Sequence, residues 1–251
     1  YAMKNGAKII NISFVGRAND ELLRIALRRA YEQGVFIVAS AGNAPDGAPA
    51  IDLDREPMYP VCTDRGTNED FIFGVAATDQ LDRRAEFSNH GGCVDLAAPG
   101  VRFISTQLFR PGTPGFEEPY GGFFNGTSLS APIVSGVAAL MRAMDRNLTP
   151  KQLGDILRAS AKPVGPDPQG LDARIGAGLV DAAKAVAQVR ELQRAAPTPA
   201  ATSSLLPAGS SGRIIIATPG AGRAPDVRLF TEDGLFVREF RPFPDAFRGG
   251  V

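Results

Sequence analysis

The sequence is short of several features, and each shortage narrows what the protein can be. Neither sign of charge is in excess, because 27 Lys and Arg residues balance 27 Asp and Glu residues. Nucleic acid and anionic membrane surfaces are therefore not expected partners. No apolar run is predicted to be long and charge-free enough to span a bilayer. The opening residues 1–4 are neither an initiator methionine nor a signal peptide.

Histidine and cysteine are also scarce. His90 is the single histidine, and Cys62 and Cys93 are the two cysteines. An even cysteine count permits one disulfide in a secreted protein, and the alternative is two unpaired, partly buried thiols. The composition is otherwise ordinary for a soluble globular protein, with 44% hydrophobic and 22% charged residues. A chain of 251 residues is long enough for one large or two smaller domains.

Short apolar runs alternate with a helical pattern in the first part of the chain. Residues 8–14 and 35–39 are rich in β-branched side chains, which predicts buried strands. Between them, Asn19 is a suitable N-cap, apolar residues recur at helical spacing, and Gly34 is a natural helix end. A further buried strand is predicted over residues 71–77. This β-α-β order predicts an α/β fold with a parallel sheet covered by helices.

A second helix is predicted after residues 125–132, which read Asn-Gly-Thr-Ser-Leu-Ser-Ala-Pro and precede a long apolar run. Pro132 is expected in the first turn, where its missing N–H costs nothing. Ser128 then lies at the N-terminus of a buried helix, where free amides and the helix dipole favour developing negative charge. A nucleophile would suit this position, although Thr127 or Ser128 could equally be an ordinary N-cap.

The segment Gly-Thr-Ser-Leu-Ser-Ala-Pro resembles the nucleophile motif of the subtilisin-like serine proteases. By that resemblance, Ser128 is the residue that attacks the peptide. Residues 38–43, Val-Ala-Ser-Ala-Gly-Asn, resemble the segment of the same family whose asparagine completes the oxyanion hole, which assigns that role to Asn43. Taken alone, Asn43 could be a common turn asparagine after glycine.

The same resemblance identifies the walls of the pocket for the residue before the cleaved bond. Ser13, Phe14 and Val15 form one wall, and Ala41 and Gly42 form the other. Val15 departs from the family pattern, which usually has glycine there, so a branched side chain is expected to narrow the pocket. The resemblance also favours a Cys62–Cys93 disulfide. It allows a structural calcium ion, which the sequence assigns to no residues, and it implies no cofactor for the chemistry.

The family mechanism also needs an aspartate and a histidine upstream of the serine. His90 precedes Ser128, but its Ser-Asn-His-Gly context lacks the pattern of the catalytic histidine. Either this chain is the C-terminal part of a longer protease, or it never had the other two residues. The first interpretation is favoured because residues 1–7 read as the end of a helix already running. The expected domain is thus a three-layer, parallel-sheet subtilisin-like domain that lacks its N-terminal part.

The C-terminal sequence has a different composition. Residues 1–194 are assigned to the protease domain, and residues 195–212 form a linker rich in Pro, Ala and Ser. Residues 213–251 form a short all-β segment, with strands predicted over 213–217, 227–230 and 235–240 and a hairpin turn at Asp233-Gly234. This segment resembles one FG-GAP-like β-propeller repeat, of which only one copy is visible.

The sequence therefore predicts a serine endopeptidase that acts on polypeptides, secreted or at the cell surface by family resemblance. Two alternatives remain open: a non-catalytic pseudoprotease that serves binding, and an esterase or transferase that uses the same acyl chemistry. This chain alone is expected to show little turnover, because an unassisted serine is a weak nucleophile at neutral pH. No oligomeric state is predicted.

Overall fold

The computed structural model describes residues 1–67, 69–164 and 174–195, together with the backbone of three strands beyond them. The chain divides into two compact units, Tyr1–Gln193 and Arg194–Val251. Four parallel strands form the sheet of the first unit in the order β1-β2-β3-β4: β1 (Ile9–Ile12), β2 (Phe36–Ser40), β3 (Phe73–Thr78) and β4 (Leu96–Pro99). The three predicted strands are present, each within two residues of its expected ends.

Helices cover both faces of this sheet. They are α1 (Glu21–Glu32), α2 (Thr127–Met144), α3 (Pro150–Ser160) and α4 (Ala182–Ala195). Side chains of a strand alternate between faces: Ile37 and Ala39 join the core under α1, whereas Phe36 and Val38 join the core under α2, α3 and α4. The prediction of a three-layer α/β domain is confirmed.

Helix α2 lies across the sheet and contacts all four of its strands. Its 18 residues contain one charged side chain, Arg142, so by length and composition it could cross a membrane. The sequence analysis did not expect such a run, but one helix of this kind is weak evidence for a membrane span, because a buried core helix has the same length and composition. Within the described residues α2 is the central core helix, with Ala131, Val134, Ala138 and Met141 fully buried against the sheet layer.

The position of Pro132 also differs from the prediction. Helix α2 begins at Thr127, so Pro132 is its sixth residue and lies in the second turn rather than the first. Because proline has no N–H, the carbonyl of Ser128 cannot accept the usual hydrogen bond from four residues ahead. The Ser13 hydroxyl donates to this carbonyl instead, at 3.0 Å.

Two small antiparallel sheets complete the described structure. Strands β5 (Phe103–Thr106) and β6 (Tyr120–Phe124) pair in the first unit and lead into α2. Strands β7 (Ile214–Ala217), β8 (Val227–Thr231) and β9 (Phe236–Phe240) pair in the second unit in that order. Helix α4 continues through Ala195, one residue into the predicted linker. The rest of that linker and the Asp233-Gly234 turn lie outside the described residues, and the FG-GAP-like identity stays a prediction.

Candidate active site

The candidate nucleophile, Ser128, lies in the first turn of α2. The backbone before it is positioned by Gly126 and Gly100. Gly126 precedes the helix with φ 154°, and its amide donates to the carbonyl of Gly100 at 2.8 Å. A side chain at Gly126 would lie 3.1 Å from the Asn43 amide nitrogen, so glycine permits this close approach. The Ser128 side chain that follows is exposed to solvent.

Asn43 lies beside this turn, although it is 84 residues from Thr127 in the sequence. It follows the carboxyl end of β2, and Ser13 follows the carboxyl end of β1. In a parallel sheet these ends meet at one edge, which is where ligands bind. The Asn43 Oδ1 atom accepts hydrogen bonds from the Thr127 N–H at 3.0 Å and from the Thr127 hydroxyl at 2.8 Å.

These two bonds orient the Asn43 amide. Because Oδ1 is occupied by Thr127, the Nδ2 group is the part of the amide left to donate elsewhere. No described residue accepts a hydrogen bond from Nδ2, and the Asn43 side chain is exposed. The amide is therefore available to a group bound next to Ser128.

Ser13 connects the third segment of the site to the helix. The Ser128 hydroxyl donates to the Ser13 carbonyl at 3.1 Å, and the Ser13 hydroxyl donates to the Ser128 carbonyl at 3.0 Å. This reciprocal pair places residues 13–15 directly beside the candidate nucleophile. The structure thus brings together Ser13, Asn43 and Ser128 from three distant parts of the chain.

The predicted pocket walls lie against each other at Val15 and Gly42. A Cβ atom built on Gly42 would lie 2.6 Å from a methyl group of Val15, and Gly42 has φ +89°. Phe14 is 61% exposed, whereas Ala41 is fully buried in the core. Val15 fills space next to Gly42, and the narrowed pocket stays a prediction.

Two residues, whose supporting roles the sequence reasoning missed, hold these segments together. The buried Thr127 hydroxyl accepts from the Gly42 amide at 3.1 Å while it donates to Asn43. Asn89 donates to the Ala41 carbonyl and accepts from the Ile51 amide, both at 3.0 Å. The sequence analysis considered Thr127 only as a possible N-cap, whereas its hydroxyl bonds to Gly42 and Asn43. Asn89 has no sequence signal, because its role depends on loops brought together by the fold.

His90 belongs to a different set of contacts. Its backbone bonds to the Ile51 carbonyl and the Leu53 amide, and it is 8% exposed. The pKa of Asp52 is lowered mainly by the hydrogen bond from the Asp54 amide, against the effect of burial, and then by Arg174, with a smaller electrostatic contribution from His90. These contacts tie His90 to the loop around residues 51–54.

The two cysteines are joined in the structure. Cys62 and Cys93 form a disulfide with an S–S distance of 2.07 Å and a Cα–Cα distance of 5.1 Å. It connects the loop before β3 to the loop before β4, and both cysteines are buried. Within the described residues, no group of three or more His, Cys, Asp and Glu side chains is arranged to hold a metal ion.

A partly buried ion pair lies at the opposite end of the sheet. Arg158 donates to Asp95 through Nε at 3.0 Å and Nη2 at 2.8 Å, and the Gly74 amide donates to the same carboxylate at 2.6 Å. Burial raises the pKa of Asp95 to about 6, and the charge of Arg158 opposes this effect. Asp95 precedes β4 and Gly74 is near the start of β3, so this pair lies away from the carboxyl-end site.

The subtilase family profile matches residues 1–178. The chain belongs to the subtilase family. An extracellular basic protease of Dichelobacter nodosus is 34% identical over 203 residues, which are 78% of this chain and 30% of that protein. Thermitase of Thermoactinomyces vulgaris is 33% identical over 147 residues, 59% of this chain and 44% of thermitase.

Solved structures agree with this assignment. A protease of Pseudoalteromonas arctica superposes with a TM-score of 0.58 at 29% identity, over 74% of this chain and 52% of that chain. The four-stranded sheet and its helices are therefore a partial subtilisin-like domain. This subtilase sequence spans about half or less of the length of each of these three relatives.

Proposed function

We propose that this subtilase chain is part of a serine endopeptidase that cleaves peptide bonds through an acyl-enzyme on Ser128. The observation that carries the proposal is the orientation of the Asn43 amide by Thr127, directly beside Ser128. An endopeptidase needs a hydroxyl and an oxyanion donor within reach of one carbonyl group. The relatives described above are proteases by name, which supports the same reaction.

Each group has a distinct role in this mechanism. The Ser128 hydroxyl attacks the carbonyl carbon, and the carbonyl oxygen becomes an oxyanion. Asn43 Nδ2 and the Ser128 N–H stabilise that oxyanion, since the first amides of a helix have no acceptor within the helix. Collapse of the intermediate expels the amine and leaves an ester on Ser128, which water then hydrolyses. This chemistry uses side chains and backbone alone.

Proton transfer requires an imidazole and an acid that orients it. His90 is the single histidine of this sequence and is held by the loop at residues 51–54. We therefore place the general base and its aspartate N-terminal to Tyr1, in a longer form of the protein. The 251-residue chain alone is expected to turn over peptides poorly, and the longer form would be secreted or lie at the cell surface.

A fluorophosphonate probe tests the proposal on the longest natural form of the protein. Labelling should disappear in Ser128→Ala and persist in Ser105→Ala, which removes an exposed hydroxyl from β5. Absence of labelling in the folded protein would favour a binding module without catalysis. Labelling with turnover of esters but not of peptides would favour an esterase.

A further inference from the structure

Residues 103–124, here called the apolar hairpin, carry an unusual share of the exposed apolar side chains. Seven of the fourteen large hydrophobic side chains that are exposed in the described residues lie in this segment. They are Ile104, Leu108, Phe109, Phe116, Tyr120, Phe123 and Phe124. Single exposed apolar residues are normal, but a concentrated patch marks an interaction surface.

The hairpin is an ordered arm rather than a loose loop. Beyond the β5–β6 pairing, the Gln107 amide donates to the Pro119 carbonyl at 3.0 Å, and the Arg110 amide donates to the Phe116 carbonyl at 2.7 Å. Within the described residues this sheet has two strands, so each strand has one unpaired edge. Such an edge can pair with the backbone of an extended peptide.

Two apolar side chains near the base of the hairpin are largely exposed. A Cβ atom on Gly122 would lie 3.0 Å from the Ile104 side chain, and Ile104 is 64% exposed. The Arg102 guanidinium lies 4.9 Å from the centre of the Phe123 ring and contacts one face of it. Phe123 nevertheless remains 62% exposed.

The hairpin is continuous with the candidate active site. Its base is closed by the Arg102 amide, which donates to Asn125 Oδ1 at 2.7 Å, and by the Gly126 amide, which donates to the Gly100 carbonyl. Gly126 is two residues before Ser128. A polypeptide held at Ser128 therefore passes the base of the hairpin.

We infer that the apolar hairpin binds an apolar stretch of the polypeptide substrate, outside the residues that flank the cleaved bond. The inference rests on the proposed function, because continuity with Ser128 is what selects a substrate as the occupant. A membrane surface is the less suitable occupant. The hairpin contains one basic residue, Arg110, and two acidic residues, Glu117 and Glu118, so it offers no attraction to anionic lipid.

A binding measurement tests this inference without requiring turnover. The 251-residue chain carrying Ser128→Ala is titrated into a fluorescein-labelled synthetic peptide with Leu and Phe at alternate positions, and anisotropy is recorded. A companion peptide has Ser at those positions. The hairpin variant is Phe109→Ser/Tyr120→Ser/Phe123→Ser. The matched control is Leu22→Ser/Ile25→Ser, which removes side chains 78% and 50% exposed on α1.

The parent and the α1 control should bind the apolar peptide and not its serine companion. The hairpin variant should bind at least about tenfold more weakly, since exposed aromatic residues dominate such contacts. The single variant Tyr120→Ser, at a side chain 63% exposed, provides a milder change if the triple variant folds poorly by circular dichroism.

Three results would overturn the inference. One is equal affinity of the parent and the hairpin variants for the apolar peptide, and another is equal affinity of the parent for the two peptides. The third is hairpin-dependent binding to phosphatidylcholine–phosphatidylglycerol vesicles without peptide binding. Failure of the proposed function can be distinguished from failure of this inference. If the proposed function is wrong, fluorophosphonate labelling is absent whatever the peptide affinity.

Discussion

Asn43 and Thr127 are held together by two hydrogen bonds to one atom, since Asn43 Oδ1 accepts from both the amide and the hydroxyl of Thr127. The bonds serve two purposes at once. They fix the loop after β2 to the first turn of α2, and they leave the Nδ2 group of Asn43 to donate towards a bound substrate. Structural support and the proposed transition-state stabilisation therefore belong to opposite ends of one amide.

This division predicts different results for two substitutions of Asn43. Asn43→Asp keeps an oxygen acceptor for Thr127 but removes the Nδ2 donor, whereas Asn43→Ala removes both. In the longest natural form, both should lower kcat by about 10²–10³-fold, a magnitude borrowed from a subtilisin. Asn43→Ala alone should also lose about 1–2 kcal/mol in the free energy of unfolding. Unchanged kcat in Asn43→Asp would remove Asn43 from the oxyanion hole.

Val15 is predicted to restrict the residue before the cleaved bond. Its methyl groups occupy space beside Gly42, and the family resemblance leads us to expect glycine at position 15. For substrates with Phe before the cleaved bond, Val15→Gly should raise kcat/KM by about 10-fold or more. For substrates with Ala there, kcat/KM should change little. The readout is a matched pair of peptides that differ only there. A parallel change for both peptides would show that Val15 does not line the pocket.

The disulfide is predicted to stabilise the first unit. Cys62 and Cys93 are separated by 31 positions, and closing a loop of that length is worth about 3–4 kcal/mol in the chain-entropy account. The Cys62→Ser/Cys93→Ser variant should unfold at lower urea concentration, and a reducing agent should shift the wild type but not the variant. Circular dichroism is a suitable probe because the protein has no tryptophan. Coincident urea unfolding curves of the non-reduced wild type and the Cys62→Ser/Cys93→Ser variant would contradict the prediction.

The fold was largely predictable because its signals are local. The β-branched runs and the helical spacing before Gly34 identify strands and helices without knowledge of their neighbours. Asn43 and Ser128 were proposed from short motifs, but the bonds from Thr127 to Asn43 depend on the packing of α2 across the sheet. Pro132 was misplaced because the first residue of a helix cannot be read reliably from one proline. Asn89 and the Asp95–Arg158 pair join segments whose proximity exists only in the folded chain.

The raised pKa of Asp95 predicts that the protein loses stability as the pH rises through the range in which this carboxyl titrates. In the folded protein, burial raises the pKa of Asp95 to about 6, against the attraction of Arg158. In the unfolded chain, an aspartate has a pKa of about 3.9. Between these values the folded state binds more protons than the unfolded state. The contribution of Asp95 to stability is thus greatest at low pH and is lost as the pH rises from about 4 to about 6.

Urea unfolding across this pH range, compared between wild type and Asp95→Asn, isolates that contribution from the other carboxylates. Asparagine keeps an oxygen to accept from the Gly74 amide, and Arg158 retains its contact with Asp70 at 2.6 Å. From pH 4 to pH 7 the wild type should lose on the order of 2 kcal/mol relative to the variant. Glu117→Gln, on the exposed hairpin, serves as a control that should follow the wild type. If the wild type instead gains stability over the variant as the pH rises, the attraction of Arg158 outweighs burial and the Asp95 pKa is lowered.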